Sequence, residues 1–206
     1  MPEITNKNYR QFLDDGIITT LTENNIRAAL HNVQGKHSRE GKALLITLYY
    51  TGARPNEVLN LRSRDIVKEG SYIVIRMSGS KGGKPRPIYT PYKKELARVV
   101  YQYSMGVFPD MYLFFNYRSN CKRYINGKEY TEITHKLRYH FGKWFEGVID
   151  GGIPPYFLRH NKFSKLAESG VSMEDIKNLK GAKSIASVGA YTHMSTKSAK
   201  SLAKYC

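Results

Sequence analysis

Apolar positions along this chain fall into blocks separated by short polar, glycine- or proline-marked breaks, and their spacing decides what each block can become. After Thr22, which stands in an N-cap position, Ile26, Ala29, Leu30 and Val33 lie on one helical face. The polar span 35–41 predicts a loop. Residues 43–50 are almost continuously apolar and stop at Gly52, which predicts a buried helix with a glycine terminus. Pro55 then suits the first turn of a short helix that includes Glu57, Val58 and Leu59. Residues 71–77 alternate and are β-branched, a strand signal, and a glycine-rich turn over 78–84 leads into 85–89. With two prolines, 85–89 predicts a returning edge strand. Residues 91–103 predict a helix with Leu96, Val99, Val100 and Tyr103 on one side, whereas 110–130, rich in aromatics and turn formers, predict no definite element. A longer helix is expected over 131–148, with Leu137, Phe141, Trp144 and Phe145 inward. Another follows Pro154 and Pro155 over 157–169, closed by Gly170. A short one over 171–179 opens with a Ser172 cap and Asp175 at the capping-box position, and helical pieces follow from 187 onward. With no internal repeat and no linker, the pattern predicts one domain, mixed but mainly α, with a small antiparallel β-sheet.

Composition narrows the function. The chain has 206 residues, 41% of them hydrophobic, which is enough to build one core and excludes global disorder. No apolar run approaches the ~20 residues of a membrane span, and the N-terminus carries no hydrophobic signal segment, so an intracellular protein is expected. Two cysteines, Cys121 and Cys206, are too few for a disulfide framework, and Cys and His are too scattered for a structural zinc site. Lys and Arg number 33 against 17 acidic residues, a net charge of +16. After Asp175 no acidic residue occurs, while Lys177, Lys180, Lys183, Lys197, Lys200 and Lys204 follow. Such a one-sided field fits a polyanion, and nucleic acid above others.

Taken singly, the polar candidates for chemistry are ordinary. Arg54 and Glu57 could be a helix-start ion pair at i,i+3, Lys81 a turn lysine, and His160 a structural residue. Tyr191 is one of 16 tyrosines. Their order along the chain is more specific. Gly-x-Arg-x-x-Glu at 52–57, a lysine on a hairpin, Arg159-His160 ahead of a helix and Tyr191-Thr-His near the end resemble the catalytic domain of the tyrosine recombinases, the integrase family. The resemblance runs over residues 43–193. Thr51-Gly-Ala-Arg-Pro-Asn-Glu-Val-Leu-Asn-Leu resembles the first arginine box, Ser80-Lys-Gly-Gly-Lys-Pro-Arg-Pro-Ile the lysine hairpin, and Leu158-Arg-His-Asn-Lys-Phe-Ser the second arginine box.

The resemblance implies that fold and a DNA strand transfer. Arg54 and Arg159 would clamp the scissile phosphate, because planar, permanently charged forks suit the charge that builds on its non-bridging oxygens. Tyr191, whose ordinary pKa near ~10 makes it a poor nucleophile unaided, would attack phosphorus, and Lys81 would protonate the departing 5′-oxygen. The bond energy is then kept in a 3′-phosphotyrosine link, so neither a metal nor a nucleotide cofactor is implied. Glu57 would hold Arg54, and His160 would support the site. Lys84 rivals Lys81 for the acid role and Tyr205 rivals Tyr191 as nucleophile. Lys84, Arg86, Lys162 and Lys180 are expected to touch DNA.

Two family positions depart. The residue three before the second arginine, usually His or Lys, is Tyr156, and the family's Leu-Gly-His stands here as Lys180-Gly-Ala, with Lys183 beside Ala182. Tyr156 and Lys183 are the expected replacements at the phosphate. The tyrosine is associated with archaeal and archaeal-virus integrases, which makes an archaeal mobile element the expected source. Residues 1–20 are too few for the family's N-terminal core-binding domain and read as an extension before a catalytic domain over 21–194, so a catalytic fragment or a minimal protein is expected. The lysine-rich tail 195–206, with Ala199, Leu202 and Ala203 on one face, is expected to pack on a neighbouring protomer. Expected partners are double-stranded DNA at a specific attachment site and further copies of the chain, as a tetramer on that DNA. Two alternatives stay open: a type IB topoisomerase using the same chemistry, and a catalytically weak DNA-binding module.

Overall fold

A computed structural model of the chain describes residues 21–79, 85–125, 128–149, 152–186 and 188. Lys81, Lys84, Tyr191, Tyr205, the extension 1–20 and the tail 195–206 lie outside the described residues.

The first helix, α1 (Glu23–His31), starts where its cap signal stands: Thr22 Oγ1 accepts from the Asn25 backbone and the Asn25 side chain accepts from the Thr22 backbone. The next, α2 (Ser38–Thr51), is the axis of the domain and packs against its neighbours on several sides, with Ala43, Leu44, Leu45, Ile46 and Leu48 all at most 1% exposed. It begins inside the span expected to be a loop. The reason is Glu40, whose buried carboxylate accepts the Asn116 backbone N–H at 2.8 Å and its Nδ2 at 2.6 Å, so a polar first turn is satisfied from across the fold. After Gly52 comes the short α3 (Pro55–Leu59).

Three strands form an antiparallel sheet in the order β1 (Ile66–Glu69), β2 (Tyr72–Met77), β3 (Arg86–Pro91). Only β2 and β3 were legible beforehand. β3 lies at the edge, where Pro87 and Pro91 cost no ladder bond from a second neighbour. Register pairs Ile73 with Thr90, Ile75 with Ile88 and Met77 with Arg86, so Arg86 shares the inward face with two buried isoleucines.

The helix expected from residue 91 begins later, as α4 (Glu95–Met105), because Pro91 still pairs with Tyr72 and a turn follows. Residues 110–130 are structured after all: a 3₁₀ turn, Phe115–Tyr117, precedes a hairpin of β4 (Cys121–Ile125) and β5 (Lys128–Glu132). Pairing of Cys121 with Glu132 takes Thr131 and Glu132 away from the expected helix, which is α5 (His135–Trp144). Last come α6 (Phe157–Glu168) and α7 (Met173–Lys180), with the Ser172 cap as expected. One large core runs from α1 to α6, and a smaller cluster of Phe163, Ala167, Ile176 and Val188 joins α6 to α7. Among the described residues no helix is long and apolar enough to cross a membrane.

Candidate active site

Four helix ends and one strand converge on the candidate site. The apolar run of α2 ends when Gly52 adopts a left-handed conformation at φ 56°, with its N–H on the Leu48 carbonyl at 3.0 Å. A Cβ on Gly52 would stand 2.9 Å from the Lys162 stem, so only glycine allows both the turn and the close passage of α6. The chain then reverses, and Arg54 takes the N-cap position ahead of Pro55.

Arg54 and Glu57 meet twice. The Arg54 backbone N–H donates to Glu57 Oε2 at 3.0 Å and Arg54 Nη1 donates to Oε1 at 3.2 Å. The Glu57 carboxylate is fully buried, whereas the Arg54 side chain keeps 24% of its surface exposed. Arg86 arrives from β3 and donates Nη2 to Glu57 Oε2 at 3.0 Å and Nε to the Leu179 carbonyl at 2.6 Å. Arg159, on the first turn of α6, donates Nη1 to the Gly52 carbonyl and Nη2 to the Lys180 carbonyl, both at 2.8 Å, with its guanidinium 5.0 Å from the Phe163 ring.

The carbonyls of Leu179 and Lys180 belong to the end of α7, where no intrahelical donor remains and the helix dipole favours cations. Gly181 closes that end at φ 64°. Two arginines therefore satisfy one helix terminus, and Arg54 stands two residues past Gly52, whose carbonyl Arg159 also holds. Burial is the main influence lowering the proton affinity of Arg159; Tyr156 and Glu57 oppose it, while Arg54 and Arg86 add to it. The guanidinium nevertheless stays charged at neutral pH, because its intrinsic pKa is so high. Arg159 Nε and Arg86 Nη1 are buried and have no hydrogen-bond partner among the described residues. Arg54 and Arg86 share the Glu57 carboxylate and Arg159 lies in the same cluster on neutral carbonyls, so among the described contacts positive charge is in excess in a poorly solvated place. That is the charge pattern an oxyanion complements.

Of the residues singled out from sequence, Arg54, Glu57 and Arg159 are thus brought together. Tyr156 sits half-buried just ahead of α6, with its ring 5.4 Å from that of His160, which is buried one turn along. Lys183 is exposed at a bend two residues past Gly181. Lys162 is half-buried with its stem over Gly52, and burial first, then Lys165, lowers its pKa. Two of the residues expected to touch DNA lie within the fold rather than on its open surface. Arg86 faces inward at 8% exposure and holds Glu57, and Lys180 is equally buried, with its carbonyl engaged by Arg159. Sequence reasoning expected Arg86 at DNA and did not foresee its bond to Glu57. The available signal was strand parity, since Arg86, Ile88 and Thr90 alternate onto one face.

This mainly helical fold, with its edge hairpin and arginine-lined helix ends, is the tyrosine recombinase catalytic-domain fold. Solved structures agree: the XerA recombinase superposes with a TM-score of 0.63 at 20% identity, over 91% of this chain and 65% of that one. The XerH site-specific recombinase bound to its difH substrate gives 0.64 at 19% identity, over 90% of this chain and 54% of that one. The chain belongs to the phage integrase family, whose pattern it matches over residues 19–198. Tyrosine recombinase XerA of Pyrococcus horikoshii is 31% identical over 157 residues, 76% of this chain and 51% of that protein. XerA of Pyrococcus furiosus is 27% identical over 179 residues, 86% of this chain and 58% of the relative. The chain thus spans about half the length of the curated relatives it matches.

Proposed function

We propose that this chain carries the chemistry of a site-specific DNA recombinase, cleaving and rejoining strands through a 3′-phosphotyrosine intermediate. The observation that carries this reading is the joining of Arg54 and Arg159 through one turn. Arg159 is bonded to the carbonyl of Gly52, two residues before Arg54, in a cluster with excess positive charge. In the reaction, Tyr191 Oη forms a bond to phosphorus and gives up its proton to solvent. The bond from phosphorus to the 5′-oxygen breaks, and Lys81 supplies the proton that oxygen needs. Arg54 and Arg159 neutralise the non-bridging oxygens throughout, which is where arginine forks act best. Tyr156 stands where the family usually carries histidine or lysine, and Lys183, beside Ala182 at the family's other histidine position, replaces that histidine at the phosphate. The substrate is double-stranded DNA at a specific site, and the charge of +16 supplies non-specific affinity for it. Rejoining between two duplexes requires several copies of the chain on DNA, as a tetramer in which the tail 195–206 reaches a neighbour.

The test is incubation with a duplex nicked close to the cleavage position, so that the short product strand diffuses away and the covalent intermediate accumulates. A denaturant-stable adduct mapped to Tyr191 is the expected result. No adduct on any duplex carrying the recombination site would leave only DNA binding. Relaxation of plasmids regardless of their sequence would point to a topoisomerase.

A further inference from the structure

We propose that Arg86 is a positioning residue for this cleavage reaction: by sharing Glu57 with Arg54 and holding the end of α7, it sets Arg54 against Arg159 and ties the base of the lysine hairpin to the same frame. The inference rests on the recombinase reading above.

The geometry is a closed circuit. From the Gly52 carbonyl it passes to Arg159 at 2.8 Å and from Arg159 to the Lys180 carbonyl at 2.8 Å. The adjacent Leu179 carbonyl accepts from Arg86 at 2.6 Å, Arg86 donates to Glu57 at 3.0 Å, and Glu57 accepts from Arg54 at 3.2 Å. Arg54 returns to Gly52 through the chain. Every element that presents a phosphate-facing arginine is fixed by this circuit, and Arg86 is the link that joins its two halves.

Stability alone does not explain an arginine here. The inward face of β3 otherwise carries Ile88 and Thr90, and the side chain of Arg86 is only 7% exposed. A buried ion pair is commonly no better than apolar residues of similar volume, because desolvation offsets the attraction. What an apolar residue cannot do is divide the charge of Glu57. With Arg86 on Oε2, part of the carboxylate's field is already neutralised. Without it, that neutralisation is lost and the carboxylate attracts Arg54 more strongly, so its fork would lie closer to the carboxylate and be less available to a phosphate. Arg86 also pairs with Met77 at the position that closes the hairpin, two residues past Lys84. The surroundings fit the arginine closely: a Cβ on Gly181 would fall 2.5 Å from Arg86 Nη1.

The experiment uses the full chain with Arg86→Met, Arg86→Lys and Glu57→Gln, alone and in combination. Duplex affinity and single-turnover adduct formation are measured on a nicked duplex. Each is repeated with the scissile phosphate replaced by a methylphosphonate, which removes one non-bridging charge. Arg86→Met should bind duplex within about threefold of the unaltered chain, since affinity is spread over many contacts. It should form adduct ~10²-fold more slowly, with Arg86→Lys in between. On the methylphosphonate the defect should shrink, because less charge remains for a misplaced Arg54 to neutralise. In the Glu57→Gln background, Arg86→Met should add much less than its separate effect. An unaltered cleavage rate overturns the proposal. So does a defect that is equal on both substrates and multiplies with that of Glu57→Gln, the mark of general damage. If Arg86→Met does not fold, Arg86→Lys, which keeps the charge but lacks the fork that serves both Glu57 and the Leu179 carbonyl, is judged by the same two comparisons. If the unaltered chain itself gives no adduct, the recombinase reading fails first, and that control tells the two failures apart.

Discussion

Replacing Glu57 with glutamine keeps its volume and removes its charge, and the consequence can be worked from the contacts. The carboxylate accepts hydrogen bonds from the Arg54 backbone, Arg54 Nη1 and Arg86 Nη2, at 3.0, 3.2 and 3.0 Å. A glutamine oxygen can keep part of this set, but its NH₂ must face donors. Arg54, 24% exposed, can turn toward water. Arg86, 7% exposed and fixed on the Leu179 carbonyl, cannot. The loss is therefore dominated by one uncompensated buried charge. Breaking a buried pair from one side costs about 3–5 kcal/mol, and the freedom of Arg54 puts this case near the lower end. For a chain of this length each kcal/mol moves Tm by about 2–4 °C, so a fall on the order of 10 °C is expected.

Urea unfolding followed by circular dichroism measures the change, with an unaltered m-value as the check that the denatured state is the same. Sulfate gives a second handle. Removing the carboxylate increases the positive excess, so millimolar sulfate should stabilise Glu57→Gln more than the unaltered chain, by the linkage of binding to folding. A destabilisation below about 1 kcal/mol, or equal stabilisation of both proteins by sulfate, would refute the reasoning: the arginine cluster would then not depend on Glu57 for its charge balance.

Other outcomes follow from the same contacts. Tyr191→Phe should abolish the covalent adduct and leave duplex affinity nearly intact, and an adduct that persists and maps to Tyr205 would reverse the choice of nucleophile. Lys183→Ala should slow single-turnover cleavage on the order of 10²-fold and Tyr156→Phe less, because a neutral phenol is the weaker partner for an oxyanion; unchanged rates in both would show that Arg54, Arg159 and Lys81 suffice. His140, packed between Tyr117 and Trp144, has its pKa held below 6.5, first by burial and then by Lys143 and Lys136. As pH falls the unfolded chain takes up that proton before the folded one does, so the His140 contribution is present above the unfolded pKa and is lost below it. Stability should therefore decline as pH falls below the ordinary histidine range, and His140→Gln should flatten the decline in urea titrations.

Local signals were legible in the sequence and long-range pairings were not. Thr22, Gly52 and Ser172 each mark a helix end through a contact made within a few residues, and each mark held. β1 is only 4 residues long, and what makes it a strand is pairing with β2 rather than its own pattern. The β4–β5 hairpin lies in a stretch dense with aromatic and polar residues, and the last two residues of its far strand, Thr131 and Glu132, fall within the helix the pattern predicts. At the site, the spacing of Arg54 and Glu57 gave their ion pair directly. Arg86 and Lys180 sit deeper than a positive net charge alone suggests, each at 8% exposure. For Arg86 the alternation with Ile88 and Thr90 signals that depth within the sequence. For Lys180 nothing does, because its visible part in the site is a backbone carbonyl, and side-chain type says nothing about that group.

The site and the fold share their polar groups, and this constrains how each can change. Helix ends leave backbone groups without intrahelical partners, and a buried end needs a partner from elsewhere. Here the C-terminal ends of α2 and α7 meet the arginines: the Gly52, Leu179 and Lys180 carbonyls accept from Arg159 and Arg86. Carbonyls satisfy the hydrogen bonds of a guanidinium but carry no formal charge, so they leave the cations only partly compensated. A set of carboxylates would have balanced the same arginines better and made a poorer phosphate site. Neutral acceptors plus the single carboxylate of Glu57 orient the forks while keeping a positive excess for an anion to complete. A substitution that relieves the excess charge, for instance one bringing a second carboxylate to the end of α7, should raise stability and weaken cleavage together. That opposition follows from charge balance rather than from shape, so it should diminish when the substrate phosphate is itself neutralised.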